Sequence, residues 1–138
     1  MRVLIADDSD LILERLSEML IACKQLEIVA SLKNGTDALN AIRTLKPEIA
    51  IMDIRMPGLS GIEVLTEIRK EDTNTKIIIL SFYSSDYYRK LANQAGADYF
   101  FNKADEFSRV FLAVNDIISN SKNDAKNGNE KSVRYLTD

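Results

Sequence analysis

Short apolar runs alternate with longer amphipathic segments along the first 120 residues of the chain. The apolar runs predict five strands, at 2–6, 27–32, 48–53, 76–81 and 97–102. After each run, apolar residues recur at spacings of three and four, which predicts five helices, at about 10–23, 36–45, 62–70, 85–95 and 105–119. Strands that are apolar throughout and separated by such helices indicate a parallel sheet covered on both faces, a doubly wound α/β fold.

Local signals mark several of the predicted helix ends. Ser9 or Asp10 can cap the start of the first helix, and Ser60 or Gly61 opens the third. Gly96 stands where the fourth helix should stop, since glycine readily adopts the left-handed conformation at that point.

Composition narrows the class of protein and the chemistry open to it. The chain has 138 residues, with 46% hydrophobic and 28% charged residues, as in an ordinary single globular domain. A net charge of −3 gives no electrostatic reason to expect binding to nucleic acid or to a membrane. The chain contains no histidine, so imidazole catalysis by its own residues is excluded. With the single cysteine, Cys23, and no apolar run near the ~20 residues of a membrane span, we expect a cytoplasmic protein.

The character of the sequence changes after residue 120. The last stretch is polar and carries little apolar periodicity. We therefore expect one domain over 1–120, followed by a polar linker or tail over 121–138.

Polar residues gather at the ends of the predicted strands. Asp7 and Asp8 follow the first strand, Asp53 and Ser81 end the third and fourth, and Lys103 follows the fifth. Because the carboxyl ends of parallel strands share one edge of a sheet, these side chains should be neighbours. Three close carboxylates need a cation, and Mg²⁺ prefers oxygen ligands. With a lysine and a hydroxyl nearby, the set suits phosphoryl transfer, with one carboxylate as the nucleophile.

These motifs, in this order, resemble the receiver domain of bacterial two-component response regulators. The resemblance rests on four segments, LIADDSD, IMDIRMPGLSG, IIILS and GADYFFNK, and covers residues 1 to about 120. It implies the flavodoxin-like fold of the chemotaxis regulators, with five β-α units and the strand order 2-1-3-4-5.

The resemblance also implies a role for each residue of the predicted site. Asp53 would be the phosphoacceptor. Asp7 and Asp8, with Asp53 and the backbone carbonyl of Arg55, would hold Mg²⁺.

Two further side chains would contact the phosphoryl group or respond to it. Ser81 would donate a hydrogen bond to a phosphoryl oxygen, and Lys103 would pair with the phosphoryl group or with Asp53. Phe100 falls where the family carries an aromatic switch residue. Movement of Ser81 and Phe100 would reshape the face formed by helix 4, strand 5 and helix 5.

Partners follow from the same resemblance. A sensor histidine kinase or a histidine phosphotransfer protein would donate the phosphoryl group, and a downstream protein would read the switch face. A homodimer that forms on phosphorylation is a further expectation, and no direct contact of this chain with nucleic acid or membrane is expected. Enzymatic activity would be limited to magnesium-dependent self-phosphorylation and self-dephosphorylation. We expect a stand-alone receiver, with the receiver of a DNA-binding response regulator as the alternative.

Two alternatives stay open on the sequence. Phe82 stands where the family commonly has a small residue, so its ring either restricts access to the site or points away from it. Separately, Asp8-Ser9-Asp10 resembles the nucleophile loop of haloacid-dehalogenase-like phosphatases, in which Asp8 would be the nucleophile. That alternative leaves Asp53 and the loop after it without a role.

Overall fold

Five β-strands alternate with five α-helices in the computed structural model, which describes residues 1–127 and, in the last helix, side chains as far as residue 122. The order is β1 Arg2–Ala6, α1 Asp10–Ile21, β2 Glu27–Leu32, α2 Gly35–Leu45, β3 Ile49–Met52, α3 Gly61–Glu71, β4 Lys76–Ser81, α4 Asp86–Ala95, β5 Tyr99–Asn102 and α5 Arg109–Asn127. The predicted alternation of strands and helices is confirmed.

All five strands pair in parallel and form one sheet with the order β2-β1-β3-β4-β5. This is the predicted strand order. The chain runs outward from β1 to β2 and then reverses to β3 on the other side of β1. At such a reversal the connections leave in opposite directions, which opens a crevice at the carboxyl ends of β1 and β3.

The hydrophobic core has two layers, one on each face of the sheet. Alternate strand residues such as Ile5 and Ile51 pack with α1 and α5, while Leu4 and Met52 pack with α2, α3 and α4. Successive residues of a strand point to opposite faces, so a strand buried on both sides must be apolar at every position. That requirement explains the continuous apolar runs of the sequence.

The predicted helix boundaries at the amino ends of α1 and α3 are confirmed. Ser9 caps α1 by accepting a hydrogen bond from the Ile12 amide, and Ser60 forms a reciprocal capping box with Glu63 at α3. Gly96 ends α4 with a φ of 106°, a left-handed conformation that glycine adopts without steric cost.

The fifth helix differs from its predicted range of about 105–119. It begins later, at Arg109, because the side-chain oxygen of Asn102 accepts hydrogen bonds from the amides of Ala104 and Asp105 and holds them in a turn. It also continues to Asn127, since residues 119–127 are polar but include no glycine or proline to stop a helix. The division into a domain over 1–120 and a tail over 121–138 stays a prediction, and residues 128–138 lie outside the described range.

None of the helices within residues 1–127 is both long enough and apolar enough to cross a membrane.

Candidate functional site

The predicted site residues meet at the carboxyl edge of the sheet. Backbone hydrogen bonds extend the strand pairing by one residue, from Asp53 N to Ala6 O at 3.1 Å and from Lys103 N to Ser81 O at 3.1 Å. The sheet itself therefore positions the first residue after β3 and after β5. Both side chains are placed by backbone that cannot shift without breaking the ladder.

Lys103 joins two of the acids in a buried ion pair. Its Nζ lies 2.5 Å from Asp7 Oδ2 and 2.7 Å from Asp53 Oδ2. The exposed fractions are 4% for Lys103, 1% for Asp7 and 6% for Asp53, so water screens these charges little. One ammonium thus holds together carboxylates from the ends of β1 and β3.

The protonation of this pair reflects burial and charge in opposition. Burial raises the pKa of Asp7 above its ordinary value of 3.8, and the neighbouring charge of Asp53 adds to the increase, which Lys103 only partly offsets. For Lys103, burial alone would lower the pKa, but the hydrogen bonds and charges of Asp53 and Asp7 outweigh burial and raise it. The lysine therefore stays a cation at neutral pH.

Backbone amides fix the orientation of both acids. Asp7 Oδ1 accepts a hydrogen bond from the Ser9 amide at 2.9 Å, and Asp53 Oδ1 accepts one from the Ile54 amide at 2.7 Å. Each carboxylate therefore has one oxygen on the backbone and the other on Lys103. This arrangement holds the carboxylates in place before any ligand binds.

Asp8 adds a third carboxylate to the cluster. One oxygen from each of Asp7, Asp8 and Asp53 lies within 4.8 Å of the others. Asp8 is exposed to solvent, whereas the other two acids are buried. A set of hard oxygen donors with one open side suits Mg²⁺, which keeps several waters and uses only a few protein ligands. The residues present therefore fit a magnesium ion.

The β4–α4 loop, residues 82–85, begins beside the site, directly after Ser81. Ser81 is fully buried, and its Oγ accepts a hydrogen bond from the Tyr83 amide at 3.1 Å, which leaves the hydroxyl proton available to another acceptor. The Phe82 ring centroid lies 5.2 Å from Lys103 Nζ, and the residue is 61% exposed. Of the two alternatives for Phe82, the structure supports a ring that lies at the mouth of the site.

Arg55 packs against a cluster of tyrosines beside the site. Its guanidinium carbon lies 4.4 Å from the Tyr83 ring centroid, and a hydrogen bond with Tyr88 raises the pKa of the guanidinium. Tyr88 packs edge-on against both Tyr83 and Tyr87. The sequence shows a bulky residue two positions beyond Asp53 and another two beyond Ser81, but it does not show that they stack on each other. The role of the Arg55 carbonyl as a magnesium ligand stays a prediction.

Phe100 lies on β5 and is partly buried against the core layer of α2, α3 and α4. The guanidinium carbon of Arg89 lies 4.8 Å from its ring centroid. Arg89 also forms an ion pair with Glu106 at 2.8 Å. Sequence reasoning missed both of these charged residues, because they are 17 positions apart and no local spacing relates them.

Comparison with known proteins agrees with this geometry. The sequence model of the family described as the response regulator receiver domain matches residues 3–115. The chain belongs to this family. It is a receiver domain of the two-component response regulators, as the order of its motifs predicted. The comparisons give no support to the phosphatase alternative built on Asp8.

Individual relatives extend the comparison. The DNA-binding transcriptional activator EvgA of Escherichia coli K12 is 35% identical over 114 residues, which is 83% of this chain and 55% of that protein. The chain thus spans about half the length of the curated relatives it matches.

Solved structures show the same fold. A LuxR-family DNA-binding response regulator from Staphylococcus aureus aligns with a TM-score of 0.78 at 30% identity, over 84% of this chain and 97% of that one. The response regulator domain of CheB from Thermotoga maritima aligns with a TM-score of 0.77 at 29% identity, over 89% and 96% of the two chains. The receiver fold is therefore confirmed by sequence and by structure.

Proposed function

We propose that this receiver accepts a phosphoryl group on Asp53 from the phosphohistidine of a sensor histidine kinase or a histidine phosphotransfer protein. The observation that carries the proposal is the bridge of Lys103 between Asp53 and Asp7, with Asp8 completing the acidic cluster. Asp53 is one of two buried acids, with Asp7, at the reversal of strand order, where ligands bind in sheets of this kind.

The transfer step uses groups already in place. An Asp53 carboxylate oxygen forms a bond to phosphorus while the phosphorus–nitrogen bond of the donor breaks, and the electron pair leaves with the donor's imidazole. Lys103 bonds Asp53 Oδ2 at 2.7 Å, so its ammonium lies beside the phosphoryl oxygens that arrive there. Ser81 has its hydroxyl proton free to donate to one of these oxygens.

Magnesium has a clear place in this proposal. Asp7, Asp8 and Asp53, with the backbone carbonyl of Arg55, would hold the ion, which when bound offsets negative charge on the phosphoryl oxygens. The three carboxylates carry more negative charge than Lys103 alone can balance. Self-phosphorylation from a small donor and self-dephosphorylation are therefore expected to require Mg²⁺.

Output would follow from the change in charge. On Asp53 a phosphoryl group carries about −1.5 to −2 charge in place of the −1 of the carboxylate, and its new acceptor oxygens draw the Ser81 hydroxyl toward them. Movement of the β4–α4 loop then alters the packing of Phe100 and the face formed by α4, β5 and α5. We propose that this face contacts a downstream target, a second copy of the chain, or a DNA-binding domain of the kind that the name of EvgA describes.

Intact mass spectrometry tests the proposal directly. The protein is incubated with Mg²⁺ and a small acyl phosphate, beside Asp53→Asn and a control, Asp105→Asn, which changes an exposed acid just after Lys103. We expect the parent and the control to gain one phosphoryl group, and Asp53→Asn to gain none. No gain in the parent, or a gain that depends on Asp8 and not on Asp53, would contradict the assignment.

A further inference from the structure

Arg89, in the first turn of α4, contacts three separate segments of the chain. Its Nε donates to Ser84 O in the β4–α4 loop at 3.0 Å, and its Nη1 donates to Phe100 O on β5 at 3.4 Å. Its Nη2 lies 2.8 Å from Glu106 Oε1 in the β5–α5 loop. The guanidinium group also covers the Phe100 ring, so one side chain connects both parts of the predicted switch.

Other hydrogen bonds strengthen the same connection, which we call the Arg89 bridge (Ser84, Arg89, Phe100, Asn102 and Glu106). The side-chain Nδ2 of Asn102 donates a hydrogen bond to Ser84 Oγ at 2.5 Å, and the backbone amide of Asn102 donates one to Glu106 Oε1 at 3.0 Å. Ser84 is therefore held at its carbonyl and at its hydroxyl. Both contacts lead to β5 or to the loop that follows it.

The position of Ser84 gives the bridge its significance. Only two residues separate Ser84 from Ser81, so a displacement of the loop at Ser81 also displaces the Ser84 carbonyl. A guanidinium is planar and rigid, and its donors have fixed relative directions. Moving one acceptor therefore forces the group either to break that bond or to shift against its other partners.

We propose that Arg89 is a positioning residue that couples the loop carrying Ser81 to Phe100 and to the β5–α5 loop. Without it, a ligand at Asp53 still engages Ser81, but the change reaches the α4-β5-α5 face only weakly. This inference rests on the proposed phosphorylation of Asp53.

Arg69 provides a matched control within the same molecule. It donates to two backbone carbonyls, Gly96 O at 3.0 Å and Asp72 O at 3.2 Å, and pairs with Asp98 at 3.0 Å. It therefore makes the same kinds of bonds as Arg89, but at the opposite end of the sheet. Replacing either arginine with glutamine removes a three-way bridge, and only one of the two reaches the β4–α4 loop.

The test is an NMR titration of the full chain with beryllofluoride and Mg²⁺, a mimic of the phosphoryl group. Backbone amide shifts are followed in two groups, the site group at Asp53 and Ser81 and the face group at Phe100 and Glu106. In the parent and in Arg69→Gln we expect both groups to respond. In Arg89→Gln we expect the site group to respond and the face-group response to fall about fivefold. About fivefold is the lower end of typical coupling between sites. The lower end applies because the Arg89 side chain is 38% exposed.

Each outcome has a defined meaning. Equal face-group responses in Arg89→Gln and Arg69→Gln would overturn the inference, and a purely structural role would lower the stability of both variants without separating the two groups of shifts. Absence of any site-group response in the parent would contradict the proposed function instead. Arg89→Lys keeps the charge for Glu106 but not the planar group, so an intermediate response is expected. If Arg89→Gln does not fold, Glu106→Gln tests the bridge from its other end and should show the same selective loss.

Discussion

Replacing Gly61 with alanine tests how rigidly the fold holds the predicted phosphoacceptor. Gly61 begins α3, and its amide donates to Ile54 O at 2.8 Å. A Cβ atom at this position would lie 2.0 Å from the backbone oxygen of Asp53, about 1.4 Å short of the 3.4 Å at which ordinary contact begins. Because the atom it meets is backbone, no side-chain rotation can relieve the clash.

The size of the effect follows from that displacement. Moving the Asp53 backbone or the start of α3 by more than 1 Å disturbs a packed interior, which costs about 1–3 kcal/mol of folding free energy. A misplacement of about 1 Å in a reacting group can lower a rate about 100-fold. We therefore expect Gly61→Ala to be less stable by up to about 3 kcal/mol and to accept phosphate from a small acyl phosphate about 100-fold more slowly.

Stability and rate need separate measurements. Urea unfolding gives the first, and time-resolved intact mass with Mg²⁺ and the donor gives the second, at a temperature where every variant is folded. Ser60→Ala is the matched control, because loss of its capping bonds should cost about 1 kcal/mol without adding an atom against Asp53. If Gly61→Ala reacted as fast as Ser60→Ala, the rigid placement of Asp53 would not matter for the chemistry and the reasoning would be wrong.

Three further predictions follow from the structure. Phe82→Ala should speed phosphorylation by a small donor, since the ring lies at the mouth of the site. Loss of the contact between the ring and Lys103 should lower the free energy of unfolding in urea by up to about 1 kcal/mol. An unchanged rate would mean that the ring does not restrict access to the site. Lys46→Gly should raise the free energy of unfolding by about 0.5 kcal/mol, because Lys46 has a left-handed φ of 48° at the end of α2, which glycine adopts without steric cost. A lower free energy of unfolding in urea would contradict this. Burial, aided by the charge of Asp53, raises the pKa of Asp7 above 3.8. Between pH 3.8 and this raised pKa, Asp7 keeps its proton in the folded protein but loses it in the unfolded chain. The contribution of Asp7 to folding stability therefore falls as the pH rises through this interval. Asp7→Asn should remove that part of the fall in metal-free unfolding curves, and identical pH slopes would count against it.

The fold, and which residues lie together at one edge of the sheet, could be predicted from the sequence alone for a physical reason. A parallel sheet buried on both faces requires continuous apolar strands, which are easily seen in runs such as KIIILS. The same topology brings every strand's carboxyl end to one edge, so Asp7, Asp53 and Lys103 could be predicted as neighbours without any knowledge of distances. The observed ion pair confirms that they meet.

Contacts between long side chains were beyond such reasoning. Nothing in the periodicity indicates that Arg55 stacks on Tyr83, or that Arg89 reaches Glu106, because these depend on rotamers and on the paths of loops. The start of α5 was missed for a related reason. One side chain, Asn102, takes up backbone amides that would otherwise begin the helix.

The loop after β3 is held mainly through contacts of backbone with backbone. A Cβ atom at Gly35, the first residue of α2, would lie 1.8 Å from Leu59 O, and the Gly35 amide donates to Pro57 O at 3.0 Å. Gly61, the first residue of α3, lies similarly close to the backbone of Asp53, so the loop packs between the first residues of α2 and α3. Such contacts cannot be changed by rotating a side chain, so the loop that carries Asp53 resists displacement.

The loop after β4 is held differently. Ser84 is bound through side chains, by the guanidinium of Arg89 and the amide of Asn102, and the Arg89 side chain is 38% exposed. Solvent can replace such bonds at a net cost of about 1 kcal/mol for the neutral pair and about 1.5–3 kcal/mol for the bond from the guanidinium. If Asp53 accepts a phosphoryl group as proposed, we expect its attraction for the Ser81 hydroxyl to move the second loop rather than the first. Under the proposed phosphorylation of Asp53, we therefore expect this difference in how the two loops are held to direct the signal away from Asp53 and toward α4, β5 and α5.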